Sequence, residues 1–199
     1  MDETHDVISR MHQASYHENQ PVSAEKQGLP FPQYLDEVRD ESILIFLPDS
    51  SGFVPQDNNL IKVLNKRRSL RRYDDSVEMS TEELSYLLKY TQGVREIDQK
   101  RTLTNRFVPS AGSRHPFETF LLVQRVNGLT PGLYRYIAQR HALEVFDLDF
   151  EAILKAHDST YKQKQVITSA VTFFWAANLY RTSWRYSTRA YRYINLDAG

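Results

Sequence analysis

The chain has 199 residues, in which 25 lysines and arginines balance 25 aspartates and glutamates, and it has no cysteine. A hydrophobic fraction of 41% and a charged fraction of 25% are typical of a globular protein and exclude a collagen-like or wholly disordered chain. The lack of cysteine excludes disulfides, thiolate zinc sites and a cysteine nucleophile, and the zero net charge argues against a general nucleic-acid binder.

Residues 1–42 are polar and predict an irregular amino-terminal extension that wraps another part of the protein. They open with acidic residues and lack the basic flank and apolar run of a signal peptide. The longest apolar stretches of the chain, 43–47 and 171–177, are much shorter than the roughly 20 residues that span a bilayer. We therefore expect a cytoplasmic protein that does not enter the membrane.

The first predicted elements are a short strand at 43–47 and a helix that begins near Leu60. A second helix is the clearest in the sequence, because Ser80 and Glu83 have the spacing of a capping box. We expect this helix to end at Gly93, in the left-handed conformation that glycine often adopts at helix ends.

The second half of the chain predicts an antiparallel meander. Residues 117–124, 133–136 and 142–146 are β-prone or alternate apolar with polar residues, and turn-forming Asn-Gly and Pro-Gly pairs separate the first two segments. Asp149 is expected to cap a short helix. Residues 171–178 are compatible with a buried strand or with the interior of a helix, and their valine, threonine and phenylalanine content favours the strand.

The densest candidate for a binding site is the segment 67–73, RRSLRRY, which contains four arginines and a serine. One interpretation is a solvated basic turn between two helices. The other is an anion site, because guanidinium and hydroxyl groups hold a phosphate through charge-assisted hydrogen bonds of roughly 1.5 to 3 kcal/mol each. In an extended segment, Arg67, Ser69 and Arg71 would face the same side.

A second candidate is the loop at 106–116, RFVPSAGSRHP. Its prolines and Gly112 frame small residues, so that a ligand can approach the main chain closely and accept hydrogen bonds from backbone N–H groups. Such a segment is often only a loop. The β-prone segment that follows it favours a binding role, because binding loops are commonly held by a rigid sheet.

Residues 181–199 are helical by periodicity and carry four arginines along one predicted face. These are Arg181, Arg185, Arg189 and Arg192. Neighbouring aromatic residues are compatible with single-stranded nucleic acid, but the neutral net charge disfavours that partner. The commoner arrangement pairs such arginines with carboxylates of another element or subunit. The six histidines lack metal-ligand spacing, so no metal site is predicted.

Taken in order, these motifs resemble the nitroreductase superfamily of flavin enzymes. The nearest branch by resemblance is the SagB-type dehydrogenases, which oxidise azolines in thiazole and oxazole peptide pathways. The resemblance implies an α+β fold with a mainly antiparallel sheet flanked by helices, and a homodimer with FMN at its interface. The resemblance runs from about Ile43 to Gly199, which implies a nitroreductase-like domain at residues 43–199. It rests on the segments RRSLRRYDD, STEELSYLLKYTQG, VPSAGSRHPFETFLLV, GLYRY and RAYRYINLDAG. The segment SYHE at 15–18 is similar to part of the amino-terminal extension of that branch.

The resemblance also implies the site residues. The first motif assigns the phosphate and ribityl end of FMN to Arg67, Arg68, Ser69 and Arg71. The second motif assigns the flavin ring to Pro109, Ser110, Ala111 and Ser113, with asparagine in many simple nitroreductases where Ser113 stands. The resemblance assigns no catalytic residue.

The implied reaction is hydride transfer through flavin N5, and three functions remain open. The protein oxidises azolines of a modified peptide, or it reduces small nitro or quinone compounds with NAD(P)H, or it is a non-catalytic binding module. In the resembled proteins, the DAG motif at 197–199 begins a long central helix that is followed by further flavin contacts. A chain that truly ended at Gly199 would lack that part, and we would expect weak FMN binding and doubtful activity.

Overall fold

The computed structural model describes residues 3–147 and 149–199. The chain divides into two compact units, which are described separately. The first unit consists of Met1–Asp36, Val94–Glu118 and Ala176–Gly199, and the second consists of Glu37–Gly93 and Thr119–Trp175.

Helices and strands are numbered in chain order. The α-helices are α1 (Glu3–Ala14), α2 (Leu60–Lys66), α3 (Thr81–Gln92), α4 (Phe150–Ser159), α5 (Lys164–Thr168), α6 (Leu179–Tyr186) and α7 (Ala190–Ala198). The strands are β1 (Leu44–Phe46), β2 (Val94–Asp98), β3 (Leu103–Arg106), β4 (Phe117–Val123), β5 (Gly132–Ile137), β6 (Ala142–Asp147) and β7 (Val171–Ala177). Together they make an α+β fold, as predicted.

The main sheet has the strand order β1-β6-β5-β4-β7 in the described residues. Strand β5 pairs antiparallel with both β4 and β6, with Tyr134 opposite Leu121 on one side and Val145 on the other. The predicted meander is therefore confirmed. Strand β7 lies at one edge of this sheet, and its residues are half-buried or exposed. The predicted strand is therefore present, but the prediction that it is buried was wrong.

The core of the second unit is formed by apolar side chains of α3 and of the meander. Three consecutive residues at the end of β4 are buried, and because successive side chains of a strand face opposite sides, both faces of β4 are shielded from water there. The fully buried members are Leu84, Leu88, Leu121, Leu122, Val123, Ile137 and Leu143.

Helix α3 begins as the sequence predicts and ends differently. The Ser80 hydroxyl accepts from the backbone N–H of Glu83, and the Glu83 carboxylate accepts from the backbone N–H of Ser80, so the capping box is present. Gly93 has φ −62°, so the left-handed ending was wrong. Glycine is needed there for another reason, since a Cβ atom would lie 2.4 Å from the carbonyl oxygen of Lys89.

The first unit contains elements that the sequence did not predict. Helix α1 lies within the segment expected to be irregular, and β2 and β3 form an antiparallel hairpin. The amino-terminal segment bonds to the carboxy-terminal helices, because the Trp184 indole donates to the carbonyl of Leu29 over 3.0 Å and the Thr188 hydroxyl donates to that of Ala14 over 2.6 Å.

The carboxy-terminal helix is not continuous, contrary to the prediction for residues 181–199. Ser187 has φ +48° and separates α6 from α7 through a short 3₁₀ turn. A non-glycine residue in this conformation is uncommon, and periodicity alone does not reveal such a break. The four arginines therefore do not lie along one helix.

A partly buried polar chain in the second unit joins the β5–β6 turn to α3. The Ser85 hydroxyl donates to the carbonyl of Pro48 over 2.6 Å and contacts Nε2 of His141 at 2.8 Å, while the Tyr136 hydroxyl lies 2.8 Å from Nδ1. Since Ser85 gives its proton to Pro48, its oxygen accepts from Nε2–H, and Nδ1 accepts from Tyr136. His141 is thus held as the neutral imidazole, and burial, with a smaller effect of Lys89, lowers its pKa.

This arrangement predicts a pH-dependent stability. The fold lowers the pKa of His141, so the neutral side chain stabilises the folded state fully above the ordinary pKa of 6.5. This stabilisation is lost as the pH falls from 6.5 toward the lowered pKa. His141→Asn keeps a residue that tolerates φ +47° but removes both side-chain hydrogen bonds. We expect a loss of about 2 kcal/mol in the free energy of unfolding at about pH 7.5.

Urea unfolding at about pH 7.5 and about pH 5 measures the stability of the variant and its pH dependence. From the higher to the lower pH, His141→Asn should lose less free energy of unfolding than the wild type. His17→Asn, at an exposed histidine, is the matched control. An equal pH dependence of the wild type and His141→Asn would contradict the assignment.

Candidate functional site

The basic segment 67–73 leaves helix α2 and runs without helix or strand to Tyr73, with its side chains exposed. The Arg68 guanidinium turns back and donates to the carbonyl oxygens of Asn65 and Arg67 over 2.9 and 2.8 Å. Among the described residues, the side chains of Arg67, Ser69 and Arg71 make no hydrogen bond or ion pair. Three of the four predicted phosphate ligands therefore have donors available.

The second predicted motif is an unusually folded loop in the first unit. Gly112, Ser113 and His115 have φ values of +59°, +53° and +42°. Glycine suits position 112 because of this φ, and a Cβ atom there would lie 2.6 Å from the Tyr186 hydroxyl, so that the tyrosine would have to move. Left-handed residues other than glycine cost of order 1 kcal/mol or more and cluster at functional sites, where the surrounding contacts hold them.

The carboxylate of Asp197 on α7 holds the start of this loop. It accepts from the Ser110 hydroxyl over 2.5 Å and from the backbone N–H of Ala111 over 3.3 Å. The Ser110 oxygen in turn accepts from the backbone N–H of His115 over 2.9 Å. Ser110 and Ala111 are therefore engaged as donors within the chain. The sequence points to Asp197 only as part of the DAG motif, with no sign of its contact with the loop.

A buried arginine holds the other end of the loop. The Arg181 side chain is 4% exposed and pairs with carboxylates of Asp36 at 3.3 Å and Glu118 at 3.4 Å. It also donates to the carbonyl of Gln33 over 3.0 Å and lies 3.5 Å from that of His115. A buried cation is tolerated only when its donors are satisfied in this way, so loss of one partner is costly.

The remaining arginines of the carboxy-terminal segment also contact the amino-terminal segment. Arg185 pairs with Glu25 at 3.5 Å, whereas the Arg192 guanidinium donates to the Ser15 hydroxyl over 2.7 Å. Arg189 lies 3.4 Å from the carbonyl of Ser15. The expected pairing with carboxylates of another element is thus confirmed for Arg181 and Arg185, and the other two arginines bind neutral oxygens.

A cavity of about 820 Å³ lies within the first unit, between the loop and the β2–β3 hairpin. Pro109, Ser110 and Ser113 line it, so three of the four residues predicted to contact the flavin ring share one cavity. His115 also lines it, and burial, followed by the nearby Arg106 guanidinium, lowers the pKa of His115 to about 3. The imidazole is therefore neutral at physiological pH.

The two predicted motifs belong to different compact units, with 67–73 in the second and the loop in the first. In residues 3–147 and 149–199, no group of three or more histidine, aspartate or glutamate side chains is placed to hold a metal ion. No helix in the same residues is long and apolar enough to cross a membrane.

Comparisons with known proteins agree with the fold. "Putative nitroreductase MJ1384" of Methanocaldococcus jannaschii is 33% identical over 159 residues, which cover 80% of this chain and 74% of that protein. The trifolitoxin-processing protein TfxB of Rhizobium leguminosarum is 27% identical over 96 residues, which cover 46% of this chain and 26% of that protein.

Two solved structures share the fold at low sequence identity. A putative nitroreductase of Anabaena variabilis has a TM-score of 0.62 at 23% identity, over 94% of this chain and 36% of that one. A chain of the Escherichia coli microcin synthetase McbBCD complex, solved with truncated pro-MccB17 bound, has a TM-score of 0.51 at 16% identity, over 98% of this chain and 73% of that one.

The model of the nitroreductase family matches residues 64–199, which include both predicted motifs and the Asp197 carboxylate that holds the loop. With this match over more than half of its length, the chain belongs to the nitroreductase family.

Proposed function

We propose that this protein is an FMN-dependent oxidoreductase that transfers hydride through flavin N5. The observation that carries the proposal is the group of available donors at Arg67, Ser69 and Arg71, beside family membership. A phosphate monoester carries about two negative charges at neutral pH, and guanidinium forks match its oxygens in geometry and charge. Arg68 is the fourth proposed ligand, and it would exchange two carbonyl acceptors for phosphate oxygens.

The loop at 109–113 is the proposed contact for the flavin ring. Pro109, Ser110 and Ser113 line its cavity. Because Ser110 and Ala111 already donate to Asp197, they would contribute surface rather than hydrogen bonds to the ring. Bound FMN would supply the hydride acceptor, while the protein orients the ring and limits access of water.

We propose a homodimer, with the two motifs contributed to each site by different protomers. No side chain of α2, which the structure describes throughout, is buried. Leu60, Ile61 and Leu64 on this helix are 68%, 64% and 58% exposed, and they offer an apolar surface for association.

For the substrate, we propose oxidation of azoline rings in a modified peptide. It is supported by similarity to TfxB, which is named as a trifolitoxin-processing protein, and by the fold shared with a chain of the microcin synthetase complex. Reduction of nitro or quinone compounds with NAD(P)H is the second candidate, because the 33% identical relative is named a nitroreductase.

Anaerobic mixing of the FMN-loaded protein with NADPH or NADH separates the two candidates. We expect slow and incomplete bleaching of flavin absorbance by both nucleotides, and faster bleaching by a thiazoline-containing peptide. Rapid stoichiometric bleaching by either nucleotide would favour the nitro or quinone reductase. A colourless protein that takes up no added FMN would contradict both and leave a non-catalytic binding module.

The phosphate site is tested by Arg67→Ala. The variant should lose about 2 kcal/mol of FMN binding, roughly thirtyfold in affinity, because one charge-assisted contact disappears. Flavin fluorescence titration measures this change. Arg140→Ala is the control, since Arg140 pairs with Glu41 at 3.0 Å and lies outside both motifs. Unchanged FMN affinity in Arg67→Ala would overturn the phosphate assignment.

The role of Asp197 is tested separately with riboflavin, which has the ring but no phosphate. Asp197→Ala removes both hydrogen bonds that hold the loop, and it should weaken riboflavin and FMN binding by a similar factor, about tenfold or more. Arg67→Ala should weaken FMN binding alone. If Asp197→Ala left riboflavin affinity unchanged, the loop would not be the ring site.

A further inference from the structure

An irregularity in strand β2 places the Arg95 side chain in the lining of the cavity between the β2–β3 hairpin and the loop at 106–116. Successive residues of a strand normally face opposite sides, yet Arg95 and Glu96 both line the cavity. Val94 is paired with Arg106 and Glu96 with the adjacent Asn105, so that Arg95 is the extra residue of a β-bulge. Bulges turn side chains away from their regular direction and are frequent beside binding sites.

The Arg95 side chain is exposed, and it lines the cavity. Its guanidinium carbon lies 5.6 Å from the centre of the Phe107 ring, and the described part of the chain gives it no ion pair. The neighbouring Glu96 carboxylate accepts from the side-chain amide of Asn105 over 3.0 Å. The other charged groups of the lining are the Arg106 guanidinium and the Glu96 carboxylate, whereas His115 is neutral and adds no charge.

A cation beside an aromatic face suits a flat ligand that carries an anionic group. The ring of such a ligand can stack on Phe107, which is 38% exposed, while its carboxylate takes the two parallel N–H donors of Arg95. The cavity of about 820 Å³ is as large as pockets that hold drug-sized ligands.

We propose that Arg95 and Phe107 form a substrate subsite that selects planar compounds bearing a carboxylate. The proposal rests on the proposed flavin function for its catalytic meaning, because the same cavity is lined by the loop assigned to the flavin ring. Direct binding of a carboxylate, however, needs no turnover and is measured independently of it.

The test compares two probes of nearly equal shape, 4-nitrobenzoate and 4-nitrobenzamide, which differ in charge. Calorimetric titration of the full chain, with and without saturating FMN, should give about tenfold tighter binding of the benzoate. In Arg95→Gln this preference should fall severalfold, with Arg106 left as the other cation of the lining, and in Arg95→Lys it should be largely kept. Raising the salt concentration should weaken benzoate binding and leave benzamide binding unchanged.

Arg101→Gln is the matched control, because Arg101 lies in the turn of the same hairpin, is 78% exposed and does not line the cavity. This variant should keep the preference for benzoate. Three results would overturn the subsite. These are equal binding of the two probes by the wild type, an unchanged preference in Arg95→Gln, and complete exclusion of nitrobenzoate by FMN. Failure of FMN to bind, with the benzoate preference intact, would overturn the flavin proposal instead.

Discussion

The hydrogen bonds between the Asp197 carboxylate and the loop at 109–115 are the interaction on which the candidate site depends. They fix Ser110 and Ala111 at the start of a loop in which three of four consecutive residues have positive φ. Such a backbone is unfavourable by itself and persists only when its surroundings determine it. Asp197 on α7 and Arg181 on α6 provide these surrounding contacts, one from each side of the break at Ser187.

The buried charge of Arg181 also gives the amino-terminal segment a structural role. Its partners include Asp36 and the carbonyl of Gln33, so the segment helps to satisfy a guanidinium that is 4% exposed. Without these acceptors the cation would be buried and unpaired, which is strongly destabilising. By holding Arg181 in place, Asp36 and Gln33 also position the guanidinium that donates to the carbonyl of His115 at the end of the loop.

Local signals predicted local structure well. The capping box of α3, the meander and the Asp149 cap of α4 each depend on residues close in sequence, and each is present. The loop's link to Asp197 joins residues 87 positions apart, and the bulge at Arg95 depends on the register of two strands. Neither has a signature in composition or periodicity, so the contact of Asp197 with the loop and the place of Arg95 in the cavity emerged only from the structure.

In the proposed flavin site, arginines hold the phosphate and the loop at 109–113 contacts the ring. Comparing the wild-type affinities for FMN and riboflavin by fluorescence titration tests it most directly. Both compounds should bind, and FMN should bind tighter by about tenfold or more, because each charge-assisted phosphate contact contributes roughly 1.5 to 3 kcal/mol. Equal affinities, or no binding of either compound, would contradict it.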